Sequence, residues 1–263
     1  MDATETRGLA SRRVVPRLIA LGIVAIVVVL LWQWLESVNR QEALEQLVAA
    51  GADVTDFAGQ KSSVSLPKTA DKAVAMPLLA NLPDLWFFEV RKPDFNDQDL
   101  TFLNPLKKLE LLALPDTQVT GEGFAGFANH TQLYLVNVSG CPLSAKGLKQ
   151  LSVIPSLDYL NAGRTNLTAK HLQAMQELKV RLLSVVEAHV DRVELQNLLK
   201  AGQIQEVDLT DTNLSMKEID DLRAAVPQVK IHAMSSHPKA LRQTANPDHS
   251  LPAQLPADDN AQP

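Results

Sequence analysis

The chain has 263 residues, 46% of them hydrophobic and 21% charged, with a formal net charge of −5 and a single cysteine, Cys141. An acidic balance with no basic cluster beyond the first 17 residues argues against nucleic-acid binding, which needs cations to displace phosphate counterions. One thiol excludes an intramolecular disulfide and a cysteine-rich metal site.

Residues 1–17 are polar and carry Arg7, Arg12, Arg13 and Arg17, whereas Leu18–Leu31 contains no polar side chain. Extending that run through Trp32, Gln33, Trp34 and Leu35 gives about 18 residues, or ~27 Å at ~1.5 Å per residue, against a bilayer hydrocarbon thickness of ~30 Å. The predicted element is an α-helix over 18–35 acting as a transmembrane signal anchor, with both tryptophans at an interface. No small-x-small cleavage site follows the run, which favours a retained anchor over a removed signal peptide. Ser11-Arg12-Arg13-Val14-Val15 loosely matches a twin-arginine export signal, but a basic flank to the anchor explains the same arginines. Only Arg40 lies just past the run, so the positive-inside rule puts residues 1–17 in the cytoplasm and the remainder outside. The expected location is a bacterial cytoplasmic (inner) membrane, crossed once.

From Glu36 to Ala50, the positions of Val38, Leu44, Leu47 and Val48, with Gly51 as a stop, suit a continuing helix. Val64-x-Leu66 lies 24 residues upstream of Phe88-x-Val90. Residues 36–84 therefore read as a juxtamembrane helix followed by an atypical repeat that caps the end of a stack.

From Leu85 onward one pattern is written six times: Leu85-x-x-Phe88-x-Val90, Leu109-x-x-Leu112-x-Leu114, Leu133-x-x-Val136-x-Val138, Leu157-x-x-Leu160-x-Ala162, Val180-x-x-Leu183-x-Val185 and Ile204-x-x-Val207-x-Leu209. The starts are 24, 24, 24, 23 and 24 residues apart. A fixed period of this size marks a solenoid, in which each unit buries its apolar face only against its neighbours. Within a unit the first, fourth and sixth strand positions are apolar and point into the stack. Three residues on stands Thr117, Cys141, Thr165, Ala188 or Thr212, small side chains able to meet backbone groups where the strand turns away; Pro93 is the exception. Asn96, Thr120, Ser144, Thr168, Asp191 and Ser215 then sit as helix N-caps, the last two followed at N3 by Glu194 and Glu218 as in a capping box. Pairs such as Phe124/Phe127, Leu148/Leu151 and Ile219/Leu222, three apart, give each helix one buried face.

These columns resemble the leucine-rich repeat family, with its Leu-x-x-Leu-x-Leu-x-x-Asn/Cys-x-Leu pattern, which Leu133–Leu143 fits throughout. The more frequent Thr in the Asn column, followed by Val-Thr or Leu-Thr and a helix, is similar to the 24-residue bacterial class. The resemblance implies an α/β solenoid over 85–233, with a curved parallel sheet on the concave face and helices on the convex face, joined to the N-terminal transmembrane helix. The fifth unit matches least, with Val180 leading it, one residue missing and Ala188 in the Asn/Cys column, so an irregular turn is expected there. Residues 234–263 hold five prolines and no period, which predicts a disordered tail.

Little in the sequence suggests chemistry. Gly121-Glu122-Gly123-Phe124-Ala125-Gly126 spells the G-x-G-x-x-G of dinucleotide sites, but that motif needs a direct strand-to-helix turn. Here the strand ends six residues earlier, and the repeat accounts for Thr120 and Phe124. None of the six histidines is spaced i, i+3 or i+4 from another; His171 and His189 fall at exposed helix-entry and turn positions. Cys141 reads as a structural thiol, and Asp220-Asp221 falls on a solvated helix face. No catalytic set, cofactor or metal site emerges.

Alternation sends the third residue of each strand to the concave surface, where Phe87, Leu111, Leu135, Tyr159 and Leu182 precede Glu206. Five large apolar side chains on strands ~4.8 Å apart predict a stripe of roughly 300–500 Å², the size of patch that often serves recognition. Beside it run Glu89, Ala113, Asn137, Asn161, Ser184 and Asp208. The expected function is a membrane-anchored, non-enzymatic scaffold binding a protein or peptide on this face, with Phe87 and Tyr159 as aromatic anchors. The alternatives are a structural or self-associating cell-envelope protein, and a stripe covered by the chain's own 36–60 segment or tail.

Overall fold

Six strands repeat because, in each, three inward apolar side chains alternate with outward ones, so only one face of the sheet can be removed from water. The computed structural model describes the backbone of residues 5–57 and 61–234, and the side chains of residues 25–56 and 61–234. Helix α1 (Glu5–Ala49) leads into a hairpin of β1 (Asp53–Phe57) and β2 (Lys61–Leu66), followed by α2 (Lys72–Leu78). The main sheet continues through β3 (Leu85–Val90), β4 (Leu111–Ala113), β5 (Leu135–Asn137) and β6 (Tyr159–Asn161). A two-residue β7 (Asn166–Leu167) and α3 and α4 (Ala145–Gln150, Ala169–Ala174) lie among these units. The last units supply β8 (Leu182–Ser184), β9 (His189–Val190), α5 (Arg192–Lys200), β10 (Glu206–Asp208), α6 (Met216–Ala225) and β11 (Lys230–His232).

The nine-stranded sheet runs β1-β2-β3-β4-β5-β6-β8-β10-β11. Among the described residues only the β1–β2 pairing is antiparallel, and every later pairing is parallel. Beside it, β7 pairs with β9 in a separate two-stranded sheet. Register follows the repeat: Phe88 faces Leu112, Leu112 faces Val136, Val136 faces Leu160 and Leu160 faces Leu183. Each of these is fully buried, as are Leu85, Leu109, Leu133, Phe95, Val119, Phe124 and Phe127, in one continuous core.

Strands of three residues suffice because the ladder continues past them. Asp116, Gly140, Arg164, Glu187 and Asp211, one per unit, adopt a left-handed backbone with φ between 53° and 70°. Their N–H groups donate to Ser139, Gly163, Val186, Thr210 and Met234 of the following unit at 2.8–3.0 Å. Only one of the five is glycine; regular stacking imposes this conformation on residues that disfavour it.

The first end of the sheet is closed by β1, β2 and the last turns of α1. Ala43, Leu44 and Leu47 are buried, and β2 meets β3 with Val64 opposite Phe88 and Leu66 opposite Val90. Arg40 secures α1, donating to Asp56, to Ser62 at 2.7 Å and to Asp84 at 2.9 Å. Burial alone would raise the Asp84 carboxyl, but hydrogen bonds from Arg40 and Ser62 and the Arg40 charge hold it below its usual range.

Three expectations are corrected. The first is the transmembrane signal anchor over 18–35 and, with it, the single-pass inner-membrane location: among the described residues no helix is long and apolar enough to cross a membrane. Glu36 follows directly on Leu35, and Arg40 soon after, within the same helix, so the apolar stretch ends there. Residues 18–24 of that expectation, and the expected tails at 1–17 and 235–263, lie outside the residues whose side chains are described.

The second correction concerns the convex face. The first two units carry 3-10 turns, Asp99–Leu103 and Glu122–Phe127, instead of capped α-helices. Pro105 stops the first after one tight turn. Asn96 still caps that turn, its Oδ1 accepting from Gln98 N while Asp99 accepts from Asn96 N, both at 2.9 Å, whereas Thr120 donates its hydroxyl to Asp97 and caps nothing. In the later units Ser144, Asp191 and Ser215 do cap, accepting from the N3 backbone N–H, and Ser215 with Glu218 completes a capping box. Third, the missing residue lies behind α4, on the way into β8. In the fifth unit's own turn Glu187 is left-handed at φ 57°, like its counterparts, while His189–Val190 departs from the second and third units by pairing with Asn166–Leu167.

Candidate protein-binding face

The five apolar side chains singled out by alternation do come together. Phe87, Leu111, Leu135, Tyr159 and Leu182 are partners in successive strands. All five are half-buried, on the face opposite the core. At ~4.8 Å between strands the row is ~19 Å long. It ends in polar residues on both sides, with Ser63 paired to Phe87 and Glu206 paired to Leu182.

Sequence reasoning passed over the neighbouring row, formed by the residue before each third position. It contributes Trp86, whose ring lies 5.9 Å from that of Phe87, and Tyr134, 42% exposed. Aromatic residues at the second position of two units were the available signal, but that position lies outside the strict period-2 pattern. The rest of the row is charged and paired. Glu110 accepts from Lys61 at 2.6 Å, and that ammonium also sits 5.4 Å from the Trp86 ring centroid. Asp158 accepts from Arg181 at 3.1 Å. Beyond the end of the stripe Glu206 meets Lys230 at 3.1 Å, Arg181 at 3.7 Å, and His232. Its carboxyl is held below the usual range by hydrogen bonds from Lys230 and His232.

The polar border has a structural task as well. The side-chain oxygens of Asn137, Asn161 and Asp208 accept from the backbone N–H of Ser139, Gly163 and Thr210 at 2.9–3.0 Å, fixing the exit of each strand. Glu89 accepts from Arg91 and from Ser65.

Elsewhere the structure gives the flagged residues packing roles. Asp97 fills the turn of the G-x-G-x-x-G segment. Its carboxylate accepts from Thr120 N, Thr120 Oγ1, Gly121 N and Gly123 N at 2.8–3.0 Å. These are the donors a phosphate would need, so a dinucleotide has no place there. The glycines permit close approach: a Cβ on Gly123 would lie 2.6 Å from Asp97 O, and Gly121 has φ +92°. Cys141 is buried; its Sγ donates to Leu114 O at 3.1 Å, and burial pushes the thiol up. Thr117, Thr165 and Thr212 make the corresponding hydroxyl bonds to Leu114, Ala162 and Leu209. His130, which no repeat column assigned, is fully buried, stacked on Phe127 and bonded through Nε2 to Leu103 O. Burial holds it below its usual pKa. His171 accepts from Thr168 N at the start of α4, and His189 is exposed. Among the described residues no group of three or more His, Cys, Asp or Glu side chains is arranged to hold a metal ion.

Parallel strands in 23–24-residue register, helices or 3-10 turns on the opposite face and one continuous core define the class: a leucine-rich-repeat-like α/β solenoid. No protein-family model matches the chain, and no curated protein does. Among solved structures it is similar to an internalin from Listeria monocytogenes, at 20% identity and a TM-score of 0.40, over 66% of this chain and 46% of that one. It is also similar to a TDR receptor, at 16% identity and a TM-score of 0.36, over 60% of this chain and 31% of that one. The chain thus spans less than half of either protein, and the fold assignment rests on the strand registers rather than on these likenesses.

Proposed function

We propose that the chain is a non-enzymatic scaffold that binds a protein or peptide on its concave sheet, with residues 85–233 as the repeat unit of the 24-residue class and 36–84 as its cap. The observation that carries this reading is the unbroken apolar row Phe87, Leu111, Leu135, Tyr159 and Leu182 on a face that α1 to α6 leave open. Half-exposed apolar side chains contribute little to the core, and a contiguous patch of this kind is a common site of association. Phe87 and Tyr159 supply the broad, stiff anchors that dominate interface energies. The test is affinity capture from the source lysate with the full chain and with Leu135→Ser/Tyr159→Ser. Partners lost by a double variant that melts within ~2 °C of the parent support the reading. Identical capture by both proteins overturns it.

Self-association is the second reading, favoured by the exposed apolar run Ile26–Leu35 of α1. A concentration-dependent sedimentation coefficient for the full chain, absent when that run carries Leu30→Gln and Leu31→Gln, would establish it.

A further inference from the structure

The rim of the apolar stripe is electrostatically closed. Among the outward-facing residues of β3 to β8 and the residues preceding β4 to β8, the charged side chains are Glu89, Glu110, Asp158 and Arg181, and all four are paired within the face, with Arg91, Lys61 and each other. A charged partner segment would have to break one of these pairs to find a counter-ion. What the face does offer is hydrogen-bond donors.

Asn137 and Asn161 are partners in β5 and β6, next to Leu135 and Tyr159, and both are half-buried. In each the amide oxygen is committed to a backbone N–H two residues on. That commitment fixes the amide orientation, because a nitrogen in its place would meet another donor. Each Nδ2 therefore turns away from the strand exit, and among the described residues neither donates a hydrogen bond. Two immobilised amide donors stand beside the apolar row, with their strands ~4.8 Å apart.

The geometry points to Asn137 and Asn161 as specificity residues for an extended, uncharged peptide segment. Its apolar side chains lie on Leu111, Leu135 and Tyr159, and its main-chain carbonyls accept from the two Nδ2 groups. This rests on the concave-face reading above and narrows the partner class. An α-helical segment spends its carbonyls internally, whereas an extended one presents them. Carbonyls on one side of an extended segment recur every second residue, ~6.6 Å apart at ~3.3 Å per residue, against ~4.8 Å between the two strands, so two such carbonyls fall close to the two side-chain amides. A partner lacking those acceptors would leave two donors desolvated and unpaired, which is how the pair discriminates.

The same column supplies the decisive variant. Asp208 makes the identical turn bond to Thr210 N, so Asn137→Asp/Asn161→Asp keeps the strand exits and removes only the donors. Asn137→Ser/Asn161→Ser shortens the side chain without adding charge. The full chain is panned against a phage-displayed library of random peptides of about 12 residues, and the enriched peptides are synthesised and titrated by fluorescence anisotropy. We expect enrichment of apolar, uncharged sequences that bind both Asn variants at least ~10-fold more weakly, a loss equal to about 1.4 kcal/mol, and that also lose affinity for Leu135→Ser/Tyr159→Ser. Peptides that need Leu135 and Tyr159 but bind both Asn variants as tightly as the parent overturn the donor role and leave the concave-face reading intact. Loss with Asp but not Ser variants assigns the effect to charge and also overturns it. Enrichment of helical or charged sequences, or none, overturns the inference, and peptides indifferent to the stripe variant overturn both.

Discussion

Asp97→Ala tests how one unit's turn is held by its neighbour. The carboxylate receives four hydrogen bonds from three residues of the next unit, and its removal leaves the N–H groups of Thr120, Gly121 and Gly123 without a partner. Bonds to a charged acceptor are worth about 1.5–3 kcal/mol each, but the site is only part-buried, so water takes over some of the four and the losses do not add. A net loss of about 2–4 kcal/mol follows, or roughly 5–12 °C in melting temperature for a chain of this size. Asp97→Asn should recover little, since its amide nitrogen faces donors. Glu122→Ala is the control: it removes an exposed pair with Lys146 and should change stability by less than ~0.5 kcal/mol. Differential scanning fluorimetry at neutral pH reads all three. If Asp97→Ala melts within 1 °C of the Glu122 control, the carboxylate does not hold the turn and the account of the glycine-rich segment fails.

Arg40→Met should cost about 2–4 kcal/mol at pH 7, because it leaves the buried Asp84 carboxylate without its counter-ion. Since Asp84 has a depressed folded pKa, its stabilisation is complete above the unfolded value of ~3.9 and is lost as pH falls through the folded value. The difference in urea midpoint between parent and variant should therefore shrink at pH 3. His130 is also depressed, by burial, but as a base: the folded state favours the neutral ring, so stability is full above ~6.5 and declines as pH drops below it. His130→Phe should flatten that decline between pH 7 and 5 in thermal melts, at a cost of about 1 kcal/mol at pH 7.5 from the lost bond to Leu103; an unchanged slope would show that His130 does not carry it. Gly147→Ala places a methyl 2.0 Å from Thr120 O. A shift of the backbone costing about 1–3 kcal/mol is expected, visible in chemical denaturation, and a neutral result would contradict the close packing of those two turns.

The repeat period and inward alternation were sufficient to place Leu85, Leu109, Leu133 and Leu157 in one core and to align Phe87 through Leu182 in one row. Burial on a parallel sheet leaves a one-residue slip no alternative that keeps leucines dry. Helix entry was legible wherever a cap had room to act, as at Ser144 and Ser215. At Asn96 the cap forms but the turn stays short, because Pro105 ends it; at Thr120 no cap forms, because the Asp97 carboxylate from the preceding unit takes its hydroxyl and its N–H. Nor could the row of outward positions show that Asn137 and Asn161 spend their oxygens on the backbone and keep their nitrogens free. That depends on where each strand leaves the sheet.

A linear pattern thus determined what is buried and how often, because removal from water acts on every unit alike. Tertiary structure alone decided which polar atoms are consumed internally and which remain available. Asp97, Arg40, Glu110 and Asp158 find their partners in other units, across 16–49 residues of chain, and a hydrogen bond needs a position and a direction that a residue's identity does not carry.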